Sequence, residues 1–243
     1  MELAGKTALI TGGGGGIGLG AALALARQGC RVAISDCNRP RLEEAAAAYT
    51  GQPPLLWRAC DVTDRGDVEN LVAWAVAQLG PLDIVVQSAG INVAKRAMAE
   101  LAPADFDRVM AVNCTGLYNL LHAVLPGMRR RGAGLVVNIC SMSGKRTWPV
   151  AGAAYCASKF AAAALGLAVG QEERLHGIRV TNIHPGEVNT PILAQRPVPV
   201  PAEQKARMVQ PDDIGQLIVA LCRLPASVVV PELVIKPLYQ DYL

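Results

Sequence analysis

The sequence has no Cys-x-x-Cys pair and no Cys/His spacing suited to a metal ion, although it carries seven cysteines. No structural zinc is therefore expected, and the odd cysteine count argues against a disulfide framework. Cys30, Cys60, Cys114, Cys140 and Cys222 sit singly among apolar residues and read as reduced core residues of a cytoplasmic protein. Cys37 and Cys156 lie nearer the motifs that carry chemistry, yet small filler residues remain the simpler reading. The three histidines, His122, His176 and His184, are far apart and form no ligand set. No stretch of about 18 residues is apolar throughout without Gly, Pro or charge, so no membrane span is expected. Residues 1–6 lead straight into a strand pattern with no charged-then-apolar leader, so no signal peptide is expected. Charge is sparse, at 18% of residues, and nearly balanced, at net +3. With no basic stripe and no aromatic platform, nucleic acid is not an expected partner. Arg129-Arg130-Arg131 reads as the solvated end of a helix.

What is abundant is apolar sequence: 51% of residues are hydrophobic and mean hydropathy is +0.28. That suits one large α/β domain over residues 1–243 which buries most of its chain. Short β-branched runs alternate with longer alanine-rich runs. Strands are expected at 7–10, 31–35, 55–60, 83–87, 135–139, 179–183 and 228–235. Helices are expected at 17–28, 41–49, 64–79, 106–130, 153–176 and 212–223, the first closed by Gly29 and the third by Gly80-Pro81. Continuous apolar strands separated by helices imply a parallel sheet covered on both faces, hence a doubly wound fold. Residues 191–210 interrupt the alternation with four prolines and read as a lid over a substrate site.

Four features carry chemistry. The loop Thr11-Gly12-Gly13-Gly14-Gly15-Gly16-Ile17-Gly18 follows the first strand and opens the first helix. Glycines there let the backbone approach a pyrophosphate, and the helix start offers free N–H groups and a positive dipole end. Asp36 follows the second strand, where a carboxylate can bond both ribose hydroxyls of an adenosine and repel a 2′-phosphate, which favours NAD over NADP. A turn or cap role is the bland alternative, and Arg39 and Arg41 lie close enough to soften the preference. Asp61 follows the third strand and is placed to accept from an adenine amino group, or else only to cap the helix near Asp64. Finally, Tyr155 and Lys159 lie four apart in an alanine-rich helix, so phenol and ammonium share a face. A cation beside a phenol favours the phenolate, and tyrosine, which ordinarily titrates near pH ~10, needs such help to trade protons at neutral pH.

Together, the glycine loop, Ser141, Tyr155 and Lys159 resemble the short-chain dehydrogenase/reductase family in its compact single-domain branch. The resemblance covers nearly the whole chain and implies a Rossmann-type sheet of about seven strands with helices on both faces. It implies an NAD(P)-dependent oxidoreductase that interconverts an alcohol and a ketone or aldehyde, NAD(H) being preferred. Tyr155 matches the general acid/base and Lys159 the residue that binds the nicotinamide ribose. Ser141 matches the serine that orients the substrate carbonyl, with Ser143 a nearby rival, and Asn113 the helix asparagine of a water-linked proton relay. Gly12, Gly16, Ile17, Gly18, Asp36, Asp61, Val62, Ala89, Gly90, Pro185, Gly186, Val188 and Thr190 match cofactor-binding positions, Val188 through its backbone and Thr190 through its hydroxyl. Gln87-Ser88-Ala89-Gly90 stands where the family usually has Asn-Asn-Ala-Gly, and residues 230–237 replace the usual glycine-rich end. An NADP-linked carbonyl reductase and a catalytically silent dinucleotide-binding regulator are the competing readings, though the silent one would predict a broken catalytic set. Lys95, Arg96, Lys145, Arg146 and Arg196 fall in segments that should rim the substrate mouth; they read either as a field for an anionic substrate or as ordinary solvated loop charges. The long helices at 106–130 and 153–176 match those that pair across a two-fold axis in similar proteins, so a homodimer or homotetramer is expected.

Overall fold

The Val- and Ile-rich runs become strands that lie side by side in one direction. The computed structural model describes residues 2–241. Its elements are β1 (Thr7–Thr11), α1 (Gly16–Arg27), β2 (Arg31–Asp36), α2 (Arg39–Ala48), β3 (Leu56–Ala59), α3 (Arg65–Leu79), β4 (Ile84–Gln87), α4 (Pro103–Met110), α5 (Gly116–Arg131), β5 (Gly134–Ile139), α6 (Ala153–Glu173), β6 (Ile178–Pro185), α7 (Ala202–Arg207), α8 (Pro211–Arg223) and β7 (Glu232–Ile235). The strand order is β3-β2-β1-β4-β5-β6-β7, and every pair is parallel. The chain thus winds outward from β1 to β3, returns to β4 beside β1, and winds outward again to β7. Loops leaving β1 and β4 part in opposite directions there, which opens a crevice at the strand C-terminal ends. This is the expected doubly wound, Rossmann-type domain.

Successive strand residues point to opposite faces, and both faces are buried. Ile10 and Val137 join the core under α1 and α8, while their neighbours Leu9 and Val136 join the core under α3, α5 and α6. That double burial is why the strands read as unbroken apolar runs. The helical stretches 103–131 and 153–176 are long and apolar enough to cross a membrane by length and composition. In the fold their apolar residues, including Leu117, Leu120 and Ala162, cover the second face of the sheet. All seven cysteines are unpaired; Cys114 is half-buried and Cys37 exposed, so neither is a core residue.

Four expectations need correction. The helix read as 106–130 starts at Pro103 and carries a π-turn at Ala111–Thr115, an irregularity invisible to a 3.6-residue periodicity. The last strand is only Glu232–Ile235, because residues 228–231 make no ladder with β6. The arginine triplet is not merely solvated: Arg129 grips the buried carboxylate of Glu173, and Arg131 donates to the Leu82 carbonyl. The stretch 191–210, read only as an interruption of the alternation, holds a 3₁₀ turn at Pro191–Gln195 and the short helix α7.

Helices α1 and α8 meet backbone to backbone. A Cβ on Gly215 would lie 2.6 Å from the Gly20 carbonyl oxygen and 2.8 Å from Ala24 Cβ. Gly215→Ala should therefore force the helices apart and cost about 1–3 kcal/mol, read as a lowered urea midpoint at unchanged m-value. An unshifted midpoint would show that the contact yields freely.

Candidate active site

The crevice is built first from glycine. Gly12 has φ +66°, and a Cβ there would lie 2.7 Å from the Ser88 and Ala89 backbone, so the loop after β1 touches the loop after β4. Gly18 turns equally tightly, with Gly12 O 2.2 Å from where its Cβ would be. The first turn of α1 has no capping side chain, which leaves its N–H groups around Gly16, Ile17 and Gly18 as donors for an anion. Beside Gly14 stands Asp36, its Oδ2 3.2 Å from the Cβ position, with Arg41 Cβ equally near. Asp36 Oδ1 accepts from the Asn38 N–H at 2.9 Å. Arg39 is drawn away, paired with Glu43 at 3.0 Å and lying over the Trp57 ring. Asp61 does not cap α3; Asp64 does, and the Asp61 carboxylate accepts from the Thr63 N–H and hydroxyl at 2.9 and 2.8 Å. Val62 is buried against Gly116, its carbonyl held by Asn119. Gln87, at the end of β4, turns its amide back to the Ala89 carbonyl at 2.9 Å and so braces the Ala89-Gly90 turn.

Next to this cradle runs a chain of polar contacts. Lys159 is 5% exposed, and its Nζ donates to the Ile139 carbonyl at 2.9 Å while lying 5.7 Å from the centre of the Tyr155 ring. Phenol and ammonium therefore occupy one face of α6, as the i, i+4 spacing requires. Asn113, on the π-turn, accepts from the Ile91 N–H at 2.8 Å and donates to the Ile91 carbonyl at 3.0 Å and Ser158 Oγ at 2.9 Å. Ser158 in turn donates to the Tyr155 carbonyl at 2.8 Å. A Cβ on Gly90 would lie 3.4 Å from both Asn113 Oδ1 and Lys159 Nζ, so these two atoms look onto one small space. Ser141 begins the short 3₁₀ turn Met142–Gly144, which abuts the Lys159 backbone, and Ser141 Oγ accepts from the Ser143 N–H at 3.0 Å. Ser143 itself is buried. Behind them, fully buried His184 has Nδ1 2.9 Å from the Ser141 carbonyl and Nε2 3.0 Å from Glu232, which also binds Lys145 at 2.5 Å.

The segment after β6 closes the third side. Gly186 N–H donates to Ile235 O, and Val188 bridges Val209 through the Glu187 carbonyl and Asn189 N–H, which leaves the N–H and C=O of Val188 out of the bridge. Pro185 is buried at the end of β6. Thr190, whose side chain caps nothing, packs 3.3 Å from the Cβ position of Gly16. Glu187 is a hub: it accepts from Arg196 at 2.8 Å, Tyr239 at 2.6 Å and Gln204 at 3.4 Å. Burial pushes this carboxyl up, but the Tyr239 and Arg196 bonds outweigh burial and hold it below the usual carboxylate range.

With this geometry in place, comparison with known proteins is direct. The family model for short chain dehydrogenase matches residues 6–198. The chain belongs to the short-chain dehydrogenase family. It is 35% identical over 210 residues to a 2,5-dichloro-2,5-cyclohexadiene-1,4-diol dehydrogenase of Sphingobium indicum, over 85% of this chain and 82% of that protein. It is 36% identical over 242 residues to glycine betaine reductase ATRR of Emericella nidulans, where 97% of this chain spans only 19% of the relative's length. Among solved structures, a 3-ketoacyl-(acyl-carrier-protein) reductase from Brucella melitensis complexed with NADH superimposes with a TM-score of 0.88 at 30% identity, over 97% of this chain and 98% of that one. A closed serine dehydrogenase complexed with NADP⁺ gives 0.88 at 27% identity, over 97% and 96%. A short-chain dehydrogenase with this cradle is an oxidoreductase of CH–OH groups that uses a nicotinamide dinucleotide.

The sequence reading did not reach Ser158, the His184–Glu232–Lys145 chain or the Glu187 hub. Ser158 carried a signal, because it stands one helical turn after Tyr155. The other two join residues up to 87 positions apart and leave no local pattern.

The lowered Glu187 carboxyl fixes a pH dependence. Its folded form protonates below the unfolded one, so the hub is intact above about pH 4.5 and is lost as pH falls through the lowered value. Glu187→Gln should speed tryptic cleavage in 191–210 severalfold at pH 7. Equal cleavage rates in both proteins would show that the hub restrains nothing.

Proposed function

We propose that the chain is an NAD(H)-preferring dehydrogenase/reductase that interconverts a small alcohol and its ketone or aldehyde, with Tyr155 as general acid/base. The observation that carries this reading is the Lys159 ammonium held 5.7 Å from the Tyr155 ring by a backbone carbonyl. The cofactor fits residues already described: pyrophosphate at Gly12 and Gly16–Gly18, adenosine ribose at Asp36, adenine between Asp61 and Val62, nicotinamide among Ala89, Gly90, Pro185, Gly186, Val188 and Thr190. Bound there, the dinucleotide supplies or takes the hydride.

In the reducing direction the Tyr155 hydroxyl gives its proton to the substrate oxygen. Ser141 Oγ uses a lone pair on the Ser143 N–H, which leaves its own hydrogen to donate to the same oxygen as charge develops there. Lys159 spends one of its three hydrogens on Ile139 and keeps the others for the ribose and for the space over Gly90. Its positive charge lies on the face of α6 from which the proton is given. Asn113 faces that same space, which supports its place in a water-linked relay. In the oxidising direction the same groups run backward, with Tyr155 as base. Residues 191–210 form the lid over the substrate, tied down at Glu187. Seven unpaired cysteines support a cytoplasmic setting. Tyr118 and Phe160 stand exposed on α5 and α6, which supports a homodimer or homotetramer paired across these helices.

The sequence placed five cations at the mouth, but the field is weaker than their number. Lys145 is neutralised by Glu232 and Arg196 by Glu187.

Tyr155→Phe should keep dinucleotide binding, read by fluorescence of the reduced form, and lose about 10²–10⁴ in turnover with a scanned alcohol panel. Undiminished turnover would remove Tyr155 from the mechanism. Asp36→Ala should narrow the gap in kcat/KM between NAD and NADP, since Arg41 is left beside Gly14. A wild-type enzyme that already prefers NADP would favour the reductase reading.

A further inference from the structure

Arg96 is a buried cation with no anion. It lies in the loop between β4 and α4 and is 7% exposed. One guanidinium nitrogen donates to the Val150 carbonyl at 3.0 Å and the other to the Gln195 carbonyl. Nε is buried and has no partner. Among the described residues Arg96 makes no ion pair, whereas Arg196 has Glu187. Gly152, at φ +81°, packs onto the Arg96 backbone and Cβ. Three rim segments, the loop after β4, the loop before α6 and the 191–195 turn, therefore close on one guanidinium. Burial pushes its pKa down, the like charge of Arg196 pushes the same way, and Tyr155 pulls it back, so both groups lie within electrostatic reach.

A guanidinium taken out of water costs several kcal/mol unless an anion compensates. Two neutral carbonyls satisfy only part of its five N–H donors and none of its charge. A planar fork held between the loop before α6 and the 191–195 turn is what a carboxylate would meet best. We propose that Arg96 is the anchor for a carboxylate on the substrate, so that this enzyme acts on a hydroxy acid or oxo acid rather than a neutral alcohol. The proposal rests on the oxidoreductase reading and narrows it to a substrate class. It also gives Arg96 a role that a simple brace of three loops would not fill, because a brace has no use for the charge.

The test begins with binding to the wild-type enzyme complexed with NADH. Calorimetry compares cyclohexanecarboxylate with cyclohexanecarboxamide, which match in shape and differ in charge. The acid should bind at least about 10-fold more tightly than the amide, as a charge-assisted bond predicts. In Arg96→Gln that ratio should collapse toward one, and Arg96→Lys should restore part of it. The kinetic counterpart is a panel of 3- and 4-hydroxycarboxylic acids, each paired with its amide. There Arg96→Gln should lower the acid-to-amide ratio of kcat/KM, chiefly through KM. Equal binding of acid and amide by the wild-type complex would overturn the anchor without any variant. So would an Arg96→Gln enzyme that weakens both ligands equally and keeps their ratio, the result expected of a brace. If neither NADH nor NADPH binds, the oxidoreductase reading fails first; if a dinucleotide binds and the carboxylate does not, only the anchor fails.

Discussion

The Lys159 ammonium, almost wholly removed from water and fixed by the Ile139 carbonyl, is the contact on which the rest of the site depends. A buried ammonium is costly to desolvate, so its position has to be built rather than found. The end of β5 builds it from one side, because Ile139 is the last ladder residue before the chain turns at Ser141. Helix α6 builds it from the other, because Tyr155 is one turn earlier on the same face. A π-turn at Asn113 then drops an amide into the remaining space and ties it to both the Ile91 backbone and Ser158. An extra residue in a helical turn costs regularity, and it persists here at a buried asparagine whose two N–H hydrogens both have acceptors. Ammonium and amide are thus held chiefly by backbone groups, which do not change rotamer.

Parallel topology explains why these groups meet at all. Ser141 follows β5, the Ala89-Gly90 turn follows β4, the glycine loop follows β1, and the segment from Pro185 ends β6. Every one is at a strand C-terminal end, so a sheet with all strands in one direction delivers them to one rim. Among the described residues Arg96 and Lys159 at this rim make no ion pair, while Glu232 and Glu187 neutralise Lys145 and Arg196. Charge at the mouth is therefore selected residue by residue, not set by net charge, which is only +3 for the whole chain.

Most of this was legible in the sequence because it is local. The glycine loop, the i, i+4 pair and the apolar strands each depend on neighbours within a few residues. Ser141 was legible as a residue, but its support was not, since His184 and Glu232 come from β6 and β7. The π-turn was invisible because hydrophobic spacing averages over it. The alternative of Asp61 as a cap stayed open because two aspartates compete near α3, and only the fold shows that Asp64 takes the Asp67 N–H. Arg96 looked like one of five rim charges, read either as a field for an anion or as ordinary solvated residues. What distinguishes it is burial beneath three loops that are distant in sequence, and no charge pattern encodes that.

The C-terminal segment shows how a departure from the family pattern is absorbed. In place of a glycine-rich end, Lys236-Pro237-Leu238-Tyr239-Gln240 folds back beside β6. Gln240 Oε1 accepts from the Glu187 N–H at 2.9 Å, and its main-chain carbonyl accepts from Lys236 Nζ. Tyr239 donates to the Glu187 carboxylate, which also binds Arg196 at the end of the 191–195 turn. The last residues are thereby coupled to Gly186 and Val188 on one side of Glu187 and to the 191–210 stretch on the other. Arg96 extends that coupling across the mouth, since its second anchor is the Gln195 carbonyl, one residue before Arg196. A movement of the 191–196 segment must then break a carboxylate contact at Arg196 and a guanidinium contact at Gln195. An anion held by Arg96 would offset the cost of burying that charge against the 191–195 turn, so substrate charge and the position of this turn would be coupled.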